Sequence, residues 1–198
     1  MDRTPPAWVG RPEASRSHRH ADRTRHGRQG PGCHREWGLP VILWRIAADT
    51  KSHGADDLSG AGAAKSPGRW NDVGQPVLYT APTIAIAVLE TAAHIDDGGL
   101  PLNRYLVEIT VPDEIWSARE TLDIGRLDIT WSAIPAGRGS VKPGSDWIRG
   151  GTAALLVVPS VIVPEEPAVI INTGHPDAAS LKARIVRLFE YNRLFRAA

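Results

Sequence analysis

Apolar residues in this chain gather in short runs, and segments rich in glycine, proline and polar side chains separate these runs. Short runs of β-branched and other apolar residues, whether continuous or alternating with polar ones, are typical of strands. The pattern predicts strands over residues 41–46, 77–79, 103–111, 153–158 and 168–171. Residues 183–191 fit either a strand or a helix, and their periodicity does not decide between the two.

Residues 68–90 predict a loop, a strand and a helix in succession. Glycine, asparagine and proline favour turns in the first part, and Thr80 is a suitable cap for the helix that follows. Residues 83–93 are apolar on nearly every side, which is typical of a buried helix. Glu90 is the only charge in that helix, and a carboxylate is rarely buried without a partner. It therefore marks either the solvated edge of the helix or a cleft where something binds.

The remaining segments predict long loops with little regular structure. Residues 49–67 are polar and rich in glycine and alanine, which indicates a loop with one short helix. Prolines and glycines interrupt residues 112–145, so we expect an irregular excursion there, followed by one helical turn at 146–148. Asp177 is placed to cap a short helix that ends at Lys182. Together these features predict a compact α+β domain with a mixed or antiparallel sheet and short helices.

The composition changes after residue 38. Residues 1–38 hold eight arginines, four histidines and four acidic residues, but few aliphatic side chains. Such a segment cannot bury enough apolar surface to offset its ordering entropy, so we predict a disordered basic segment there and one folded domain over 39–198. A nucleic-acid arm or a histidine-based metal tract is an alternative interpretation. A further hypothesis places the native start near 39–43, because Met1 is the only methionine and the first strong folding signal follows there.

Composition also excludes several kinds of site. The chain has one cysteine, Cys33, so neither an intrachain disulfide nor a cysteine-rich zinc site is expected, and we predict no metal in the site. No apolar run reaches the length of a membrane span, which favours a cytoplasmic protein. Residues 39–198 carry 15 basic and 18 acidic residues. A negatively charged body without a basic stripe argues against nucleic-acid binding.

Six short sequences follow one another along the domain: LWRI (43–46), GRWN (68–71), VLYT (77–80), AVLE (87–90), VPSVIVPEE (158–166) and INTGHPD (171–177). In this order they resemble the landmarks of the RES domain, the toxin of bacterial Xre–RES type II toxin–antitoxin pairs. The resemblance covers nearly all of residues 41–198. Residues 1–38 match nothing in that family, which agrees with the hypothesis of a later start.

The resemblance implies a fold akin to ADP-ribosyltransferase toxins and an enzyme that degrades NAD+. The nicotinamide–ribose bond would be cleaved by hydrolysis or by phosphorolysis, which would make the protein an NAD+ glycohydrolase or an NAD+ phosphorylase that arrests growth. NAD+ is then a substrate, no cofactor is needed, and inorganic phosphate is a candidate co-substrate. Transfer of ADP-ribose to a protein is an alternative, and a nucleic-acid-binding or RNA-cleaving toxin is an alternative from another class. The implied partners are an Xre-type helix-turn-helix antitoxin and a second copy of the chain, as a homodimer within the complex.

Carried over residue by residue, the resemblance places the site at Arg45, Arg69, Tyr79, Glu90 and Ser160. It implies catalytic roles for Glu90, Arg69 and Ser160. It implies NAD+ binding by Arg45, Arg69, Tyr79 and Ser160.

The chemistry of these residue types suits NAD+. A guanidinium donates two parallel hydrogen bonds to phosphate and keeps its charge, so Arg45 and Arg69 are expected to bind the pyrophosphate or the ribose beside it. Tyr79 offers a ring on which nicotinamide can stack. The Glu90 carboxylate suits the positive charge that develops on ribose as the bond breaks. Ser160 is expected to hydrogen-bond the substrate rather than to attack it. Purely structural roles stay open, such as a core position for Tyr79 or a solvent-facing one for Arg45.

Overall fold

The computed structural model describes residues 40–95 and 100–191, and the disorder predicted for residues 1–38 falls outside these ranges. Within them the strands are β1 Val41–Ala48, β2 Val77–Thr80, β3 Arg104–Val111, β4 Glu120–Thr121, β5 Leu155–Pro159, β6 Pro167–Asn172 and β7 Lys182–Phe189. The helices are α1 Ala61–Lys65, α2 Ile84–Ala92, α3 Asp113–Ser117 and α4 Arg138–Gly150, and 3-10 turns cover Ile124–Arg126 and Pro176–Ser180. None of the described helices is long and apolar enough to span a membrane.

The strands form two sheets that are joined at one edge. The first sheet is antiparallel in the order β1-β3-β7, and the second has the order β2-β6-β5-β4, with β4 parallel to β5. Trp44 on β1 and Ala81, directly after β2, exchange two backbone hydrogen bonds of 2.8 Å each. These bonds tie the edge of the first sheet to the edge of the second. The predicted α+β class with short helices is confirmed.

The main apolar cluster lies between the two sheets. Leu43 and Ile109 of the first sheet pack in the same cluster as Leu78 and Ile171 of the second, and all four are buried. Because side chains alternate along a strand, the continuous apolar runs of β5 and β6 supply residues to both faces of the second sheet. The strands predicted from these two runs are both present, and their ends differ from the predicted ones by one or two residues.

Two further clusters cover the outer faces of the sheets. Ile46 and Leu106 of the first sheet pack against Ile86 of α2. On the second sheet, Trp70 and Trp147 belong to a cluster with apolar residues of β5 and β6. Each sheet is thus covered on its outer face by a helical or loop segment, and these covering segments carry two of the five predicted site residues, Glu90 on α2 and Arg69 beside Trp70.

Helix α4 is the largest departure from the sequence-based prediction. The segment around Pro143 was expected to be irregular up to residue 145, with a single turn at 146–148, but Arg138–Gly150 forms a helix of 13 residues. Gly144 lies in its interior against the backbone of Trp70, and a Cβ atom at this glycine would stand 2.0 Å from the Trp70 carbonyl oxygen. Proline and glycine lower helix propensity in general, but here tertiary packing outweighs that preference.

Helix α2 begins later and is less buried than predicted. Thr83 caps it in place of Thr80, and the Thr83 hydroxyl accepts a hydrogen bond from the Ile86 amide at 3.2 Å. Thr80 ends β2, and its hydroxyl donates to a carbonyl of β6 at 2.7 Å. The buried residues of α2 are Ile86 and Ala87, because only one face of the helix packs on the first sheet.

The last described segment is a strand. β7 pairs with β3 along its length, which decides between the two interpretations of residues 183–191. The turn before it is capped by His175, whose Nδ1 accepts a hydrogen bond from the amide of Asp177 at 3.2 Å. The prediction that Asp177 is the cap was therefore wrong by two residues.

Gly144→Ala is expected to destabilise the domain by about 1–3 kcal/mol, because an added Cβ must push α4 away from Trp70. Chemical denaturation of the purified protein measures this loss. Gly150→Ala is the matched control, since it lies in the same helix with no atom within 4 Å of an added Cβ, and it should be neutral or slightly stabilising. Equal stability of the two variants would contradict the tight contact.

Candidate active site

Arg69 is held in place by the backbone of a distant loop. Its Nη1 donates to the carbonyl oxygen of Trp131 at 2.8 Å and to that of Ala133 at 2.9 Å. The Nε and Nη2 groups make no hydrogen bond to any residue of the described ranges, so they remain able to bind an anion. Burial lowers the pKa of Arg69, while the negative charge of Glu90 opposes that shift. Arg69 is thus a cation held in one position, with its Nε and Nη2 groups available to a ligand.

Tyr79 lies beside Arg69 and uses its hydroxyl within the protein. The hydroxyl donates to the side-chain oxygen of Asn71 at 2.8 Å and accepts from the amide of Trp70 at 3.0 Å. Burial raises the pKa of Tyr79 to about 12, although hydrogen bonding with the backbone of Trp70, the charge of Arg69 and hydrogen bonding with the backbone of Asn71 work against the rise. The ring packs against Gly68, where an added Cβ would lie 2.6 Å from ring atoms. The phenol is therefore neutral at physiological pH, and its ring is what it can offer to a ligand.

Glu90 has one carboxylate oxygen, Oε1, that is buried but not hydrogen-bonded by the described residues. The carboxylate is close enough to Arg69 to act on its pKa, yet no ion pair joins the two within those ranges. A buried carboxylate oxygen without a partner costs free energy, and natural proteins tolerate such a group mainly where a ligand or water completes it. Of the two predicted interpretations, the geometry favours a cleft over a solvated edge.

Arg45 points into the space between the sheets. It shares its face of β1 with Leu43 and Ala47, which belong to the main apolar cluster. Its Nη1 donates to the backbone carbonyl of Asp57 at a long 3.5 Å, and no other hydrogen bond to a described residue satisfies the guanidinium. Burial lowers the pKa of Arg45, while the Asp57 carboxylate opposes the shift. The solvent-facing interpretation does not fit this position, and most of the donors of Arg45 remain available.

Ser160 is engaged in the turn that follows β5. It is 1% exposed, and its hydroxyl oxygen accepts hydrogen bonds from the amides of Ile162 at 3.1 Å and Val163 at 3.0 Å. Its own amide donates to the carbonyl of Glu166 at 3.0 Å. These contacts hold the bend between β5 and β6. They leave the hydroxyl proton as the one group that Ser160 can direct to a substrate.

The structure brings three of the five predicted site residues together. Glu90 and Tyr79 are both close enough to Arg69 to affect its pKa, and Arg69 in turn affects the pKa of Tyr79. In the described part of the chain, no hydrogen bond or ion pair links Arg45 or Ser160 to this group. The same part holds no cluster of three metal-ligating side chains. An open depression of about 480 Å³, lined by Asp49, Thr50, Lys51, Asn103 and Tyr105, contains none of the five residues.

Sequence reasoning missed two kinds of contributor. Asn71 was interpreted only as a turn-former, although its place in GRWN, beside a predicted site arginine, was a usable signal. Asp57 faces Arg45 from a loop that showed no motif. The carbonyl groups of Trp131 and Ala133 hold Arg69, and a backbone group leaves no trace in the sequence.

Comparison with known proteins identifies the family. The family model of the RES domain matches residues 42–192, most of the chain. The chain belongs to the RES-domain family. This RES domain is 54% identical over 161 residues to the "Prs ADP-ribosylating toxin" of Sphingobium sp. (strain YBL2), a match that covers 81% of this chain and 100% of the relative. It is 34% identical over 157 residues to "Toxin Res" of Pseudomonas putida, covering 78% and 100%. The predicted RES-domain toxin is confirmed.

A solved structure has the same fold. This RES domain matches a chain of the crystal structure of the M. tuberculosis MbcT–MbcA toxin–antitoxin complex with a TM-score of 0.54. The match covers 75% of this chain and 85% of that chain, at 17% sequence identity. At that identity the likeness establishes the fold, and function must be argued from the site itself.

Ser160→Ala is expected to lower the free energy of unfolding by about 1–3 kcal/mol, because two amides of a buried turn lose their acceptor. Ser180→Ala, at an exposed serine, is the control and should change stability little. Thermal or urea denaturation of both variants measures the difference. If the two variants are equally stable, the Ser160 hydroxyl does not hold the turn and is free for another task.

Tyr79→Phe is expected to cost stability at pH 8, by about 1 kcal/mol, because it removes a hydroxyl that makes two hydrogen bonds. The folded pKa of Tyr79 is raised from 10.0 to about 12, so its contribution is complete below pH 10 and is lost as the pH rises toward 12. The stability difference between the two proteins should therefore shrink over that interval. Urea denaturation at pH 8 to 11 tests this, and a difference that grows with pH would contradict it.

Proposed function

We propose that this toxin cleaves NAD+ at the bond between nicotinamide and ribose, and that it transfers the ADP-ribose to a protein. The observation that carries the proposal is the buried Oε1 of Glu90, which has no hydrogen-bond partner in residues 40–95 and 100–191, beside the cation of Arg69 and the ring of Tyr79. NAD+ has a group for each of them: a ribose that becomes cationic, a pyrophosphate dianion and a flat nicotinamide ring.

Glu90 supplies the electrostatic part of the reaction. As the glycosidic carbon–nitrogen bond breaks, nicotinamide leaves with the bonding electron pair and positive charge spreads over the ribose ring. A fixed carboxylate next to that ring stabilises the transition state more than the ground state, and this difference accelerates the reaction. Since Oε1 has no hydrogen bond to a described residue, binding of the ribose does not first have to break one.

The two arginines are suited to the pyrophosphate. The Nη1 group of Arg69 donates to the backbone, which leaves Nε and Nη2 able to donate to a ligand. These two groups can form two parallel hydrogen bonds to the oxygens of a phosphate. Arg45 is partly buried, and among the described residues its guanidinium makes one hydrogen bond, a long one to the Asp57 carbonyl, so an anion would improve its environment. Both guanidinium groups thus favour a negatively charged ligand.

Tyr79 contributes a surface rather than a proton. Its hydroxyl is occupied by Asn71 and Trp70, so we assign it the role of a flat wall against nicotinamide. We assign Ser160 a hydrogen bond to the substrate through its remaining proton. Neither residue needs to form a covalent intermediate in this scheme.

The identity of the acceptor rests on the relatives. The relative with 54% identity over its whole length carries the name "Prs ADP-ribosylating toxin", so we propose a protein acceptor, with Prs of the same host as the first to test. Hydrolysis and phosphorolysis begin with the same bond cleavage and differ only in whether water or phosphate takes the ribose. We also propose an Xre-type helix-turn-helix antitoxin as the partner, since a solved structure with this fold is a toxin–antitoxin complex, and we propose a homodimer within such a complex.

Glu90→Gln is expected to reduce nicotinamide release by about 100- to 1,000-fold, because the charge that stabilises the transition state is gone while the shape is kept. Purified protein is incubated with NAD+, phosphate and Prs of its host, and the products are separated by mass spectrometry. The proposal expects nicotinamide together with a Prs that is heavier by one ADP-ribose.

The control is Glu165→Gln, which makes the same change at an exposed glutamate and should leave turnover unchanged. Free ADP-ribose or ADP-ribose phosphate, without modified Prs, would replace the protein acceptor by water or phosphate. If wild-type protein releases no nicotinamide, or if Glu90→Gln is as active as wild type, the proposed function is wrong.

A further inference from the structure

Asn71 is the most completely enclosed polar residue near the site. It is 0% exposed, and every polar atom of its side chain is hydrogen-bonded. Buried polar networks are stable only when each member is satisfied, and they then fix one geometry. Asn71 lies between the loop of Arg69 and strand β2, so the geometry that it fixes belongs to the site.

The two ends of the Asn71 amide face different partners. Its oxygen accepts from the amide of Gly68 and from the hydroxyl of Tyr79, both at 2.8 Å. Its nitrogen faces the carbonyl oxygens of Ala63 at 2.9 Å and Gln75 at 3.1 Å. Donors surround the oxygen and acceptors surround the nitrogen, so the orientation of the amide follows from its surroundings.

These contacts fix both neighbours of Arg69 in the chain. The Gly68 amide is bound to Asn71 directly, and the Trp70 amide is bound to the Tyr79 hydroxyl, which in turn donates to Asn71. The backbone of Arg69 is therefore held on its two sides, while its guanidinium is held by Trp131 and Ala133.

Asn71 also sets the direction of the Tyr79 hydroxyl. One lone pair of the phenol oxygen accepts from Trp70, and the proton points to Asn71, so the ring has a single orientation against Gly68. Without Asn71 the hydroxyl would have to find another acceptor, and both the ring and the loop would lose their common anchor.

We propose that Asn71 is a positioning residue for the reaction, which sets the relative placement of the Arg69 guanidinium and the Tyr79 ring. The proposal rests on the proposed function and extends it to a residue that does not touch NAD+. Misplacement of binding groups by about 1 Å is enough to lower turnover by up to about 100-fold.

The test compares Asn71→Ala with Asn172→Ala. Asn172 is a second buried asparagine that also fixes a turn, since it donates to the carbonyl of Ile148 at 3.2 Å and accepts from the amide of Gly174 at 3.1 Å. Both variants are expected to lose stability. After correction for the folded fraction, Asn71→Ala should raise KM for NAD+ and lower kcat/KM by about 10- to 100-fold, whereas Asn172→Ala should keep the wild-type KM.

Asn71→Asp serves as the second variant. It keeps an oxygen for Gly68 and Tyr79 but turns a carboxylate toward the carbonyl oxygens of Ala63 and Gln75. Protonation of the introduced carboxyl restores one donor, so the ratio of its kcat/KM to that of wild type should rise as the pH is lowered from 8 to 5.5. If Asn71 merely stabilised the fold, its substitution would change only the folded fraction. The KM of the folded protein would equal that of wild type, and the ratio of the kcat/KM values would not depend on pH.

Amide hydrogen exchange gives a readout that does not depend on activity. In Asn71→Ala the amides of Gly68 and Trp70 should exchange faster, while amides within β6 keep their wild-type protection. The inference is overturned if these two amides stay protected, or if the KM of Asn71→Ala equals that of Asn172→Ala. Failure of the proposed function is separate and visible, since wild-type protein would then release no nicotinamide.

Discussion

The two hydrogen bonds between Trp44 and Ala81 are the joint on which the rest of this structure depends. They bind the edge of the antiparallel sheet to the end of β2, so that the two sheets share a border. Arg45 follows Trp44 directly, and α2 starts soon after Ala81 with Glu90 in its second half. A backbone contact that carries no chemistry of its own thereby sets where β1, which carries Arg45, lies relative to β2 and to the helix that carries Glu90.

The polar side chains of the candidate site differ in how far the protein satisfies their hydrogen bonds. Arg69 and Tyr79 are held by backbone carbonyls, an amide and a buried asparagine, whereas Glu90 has one buried oxygen without a hydrogen-bond partner in the part of the chain that the structure describes. Desolvation without a hydrogen bond is costly, so such a group is a local loss of stability that the apolar clusters on both sides must offset. In such a site the binding groups, Arg69 and Tyr79, are held rigidly, whereas the carboxylate of Glu90, which the proposed reaction needs, lacks a hydrogen bond on one oxygen.

Much of this arrangement follows from the sequence, and the exceptions have physical causes. Apolar runs predicted five of the seven described strands, missing β4 and leaving β7 open between strand and helix, and the isolated charge of Glu90 among apolar residues marked it as a candidate site residue. Helix α4 was missed because Pro143 and its neighbouring glycines lower local helix propensity, while the contact of Gly144 with Trp70 is a tertiary effect. The occupied hydroxyl of Ser160 could not be foreseen, since its acceptor role depends on how the chain bends after β5.

The stacking of Trp70 on Trp131 has a consequence for how this protein can be observed. The two indole rings lie 6.1 Å apart at an angle of 23°, and both are buried. Trp70 follows Arg69 in the chain and Trp131 supplies a carbonyl to the same arginine, so the ring pair and the arginine contact join the same two segments. Two indoles at this separation couple their electronic transitions, and their circular dichroism in the near ultraviolet becomes a built-in optical signal. A movement of the loop that changes the distance or the angle between these two rings should change that signal, without a dye or a label.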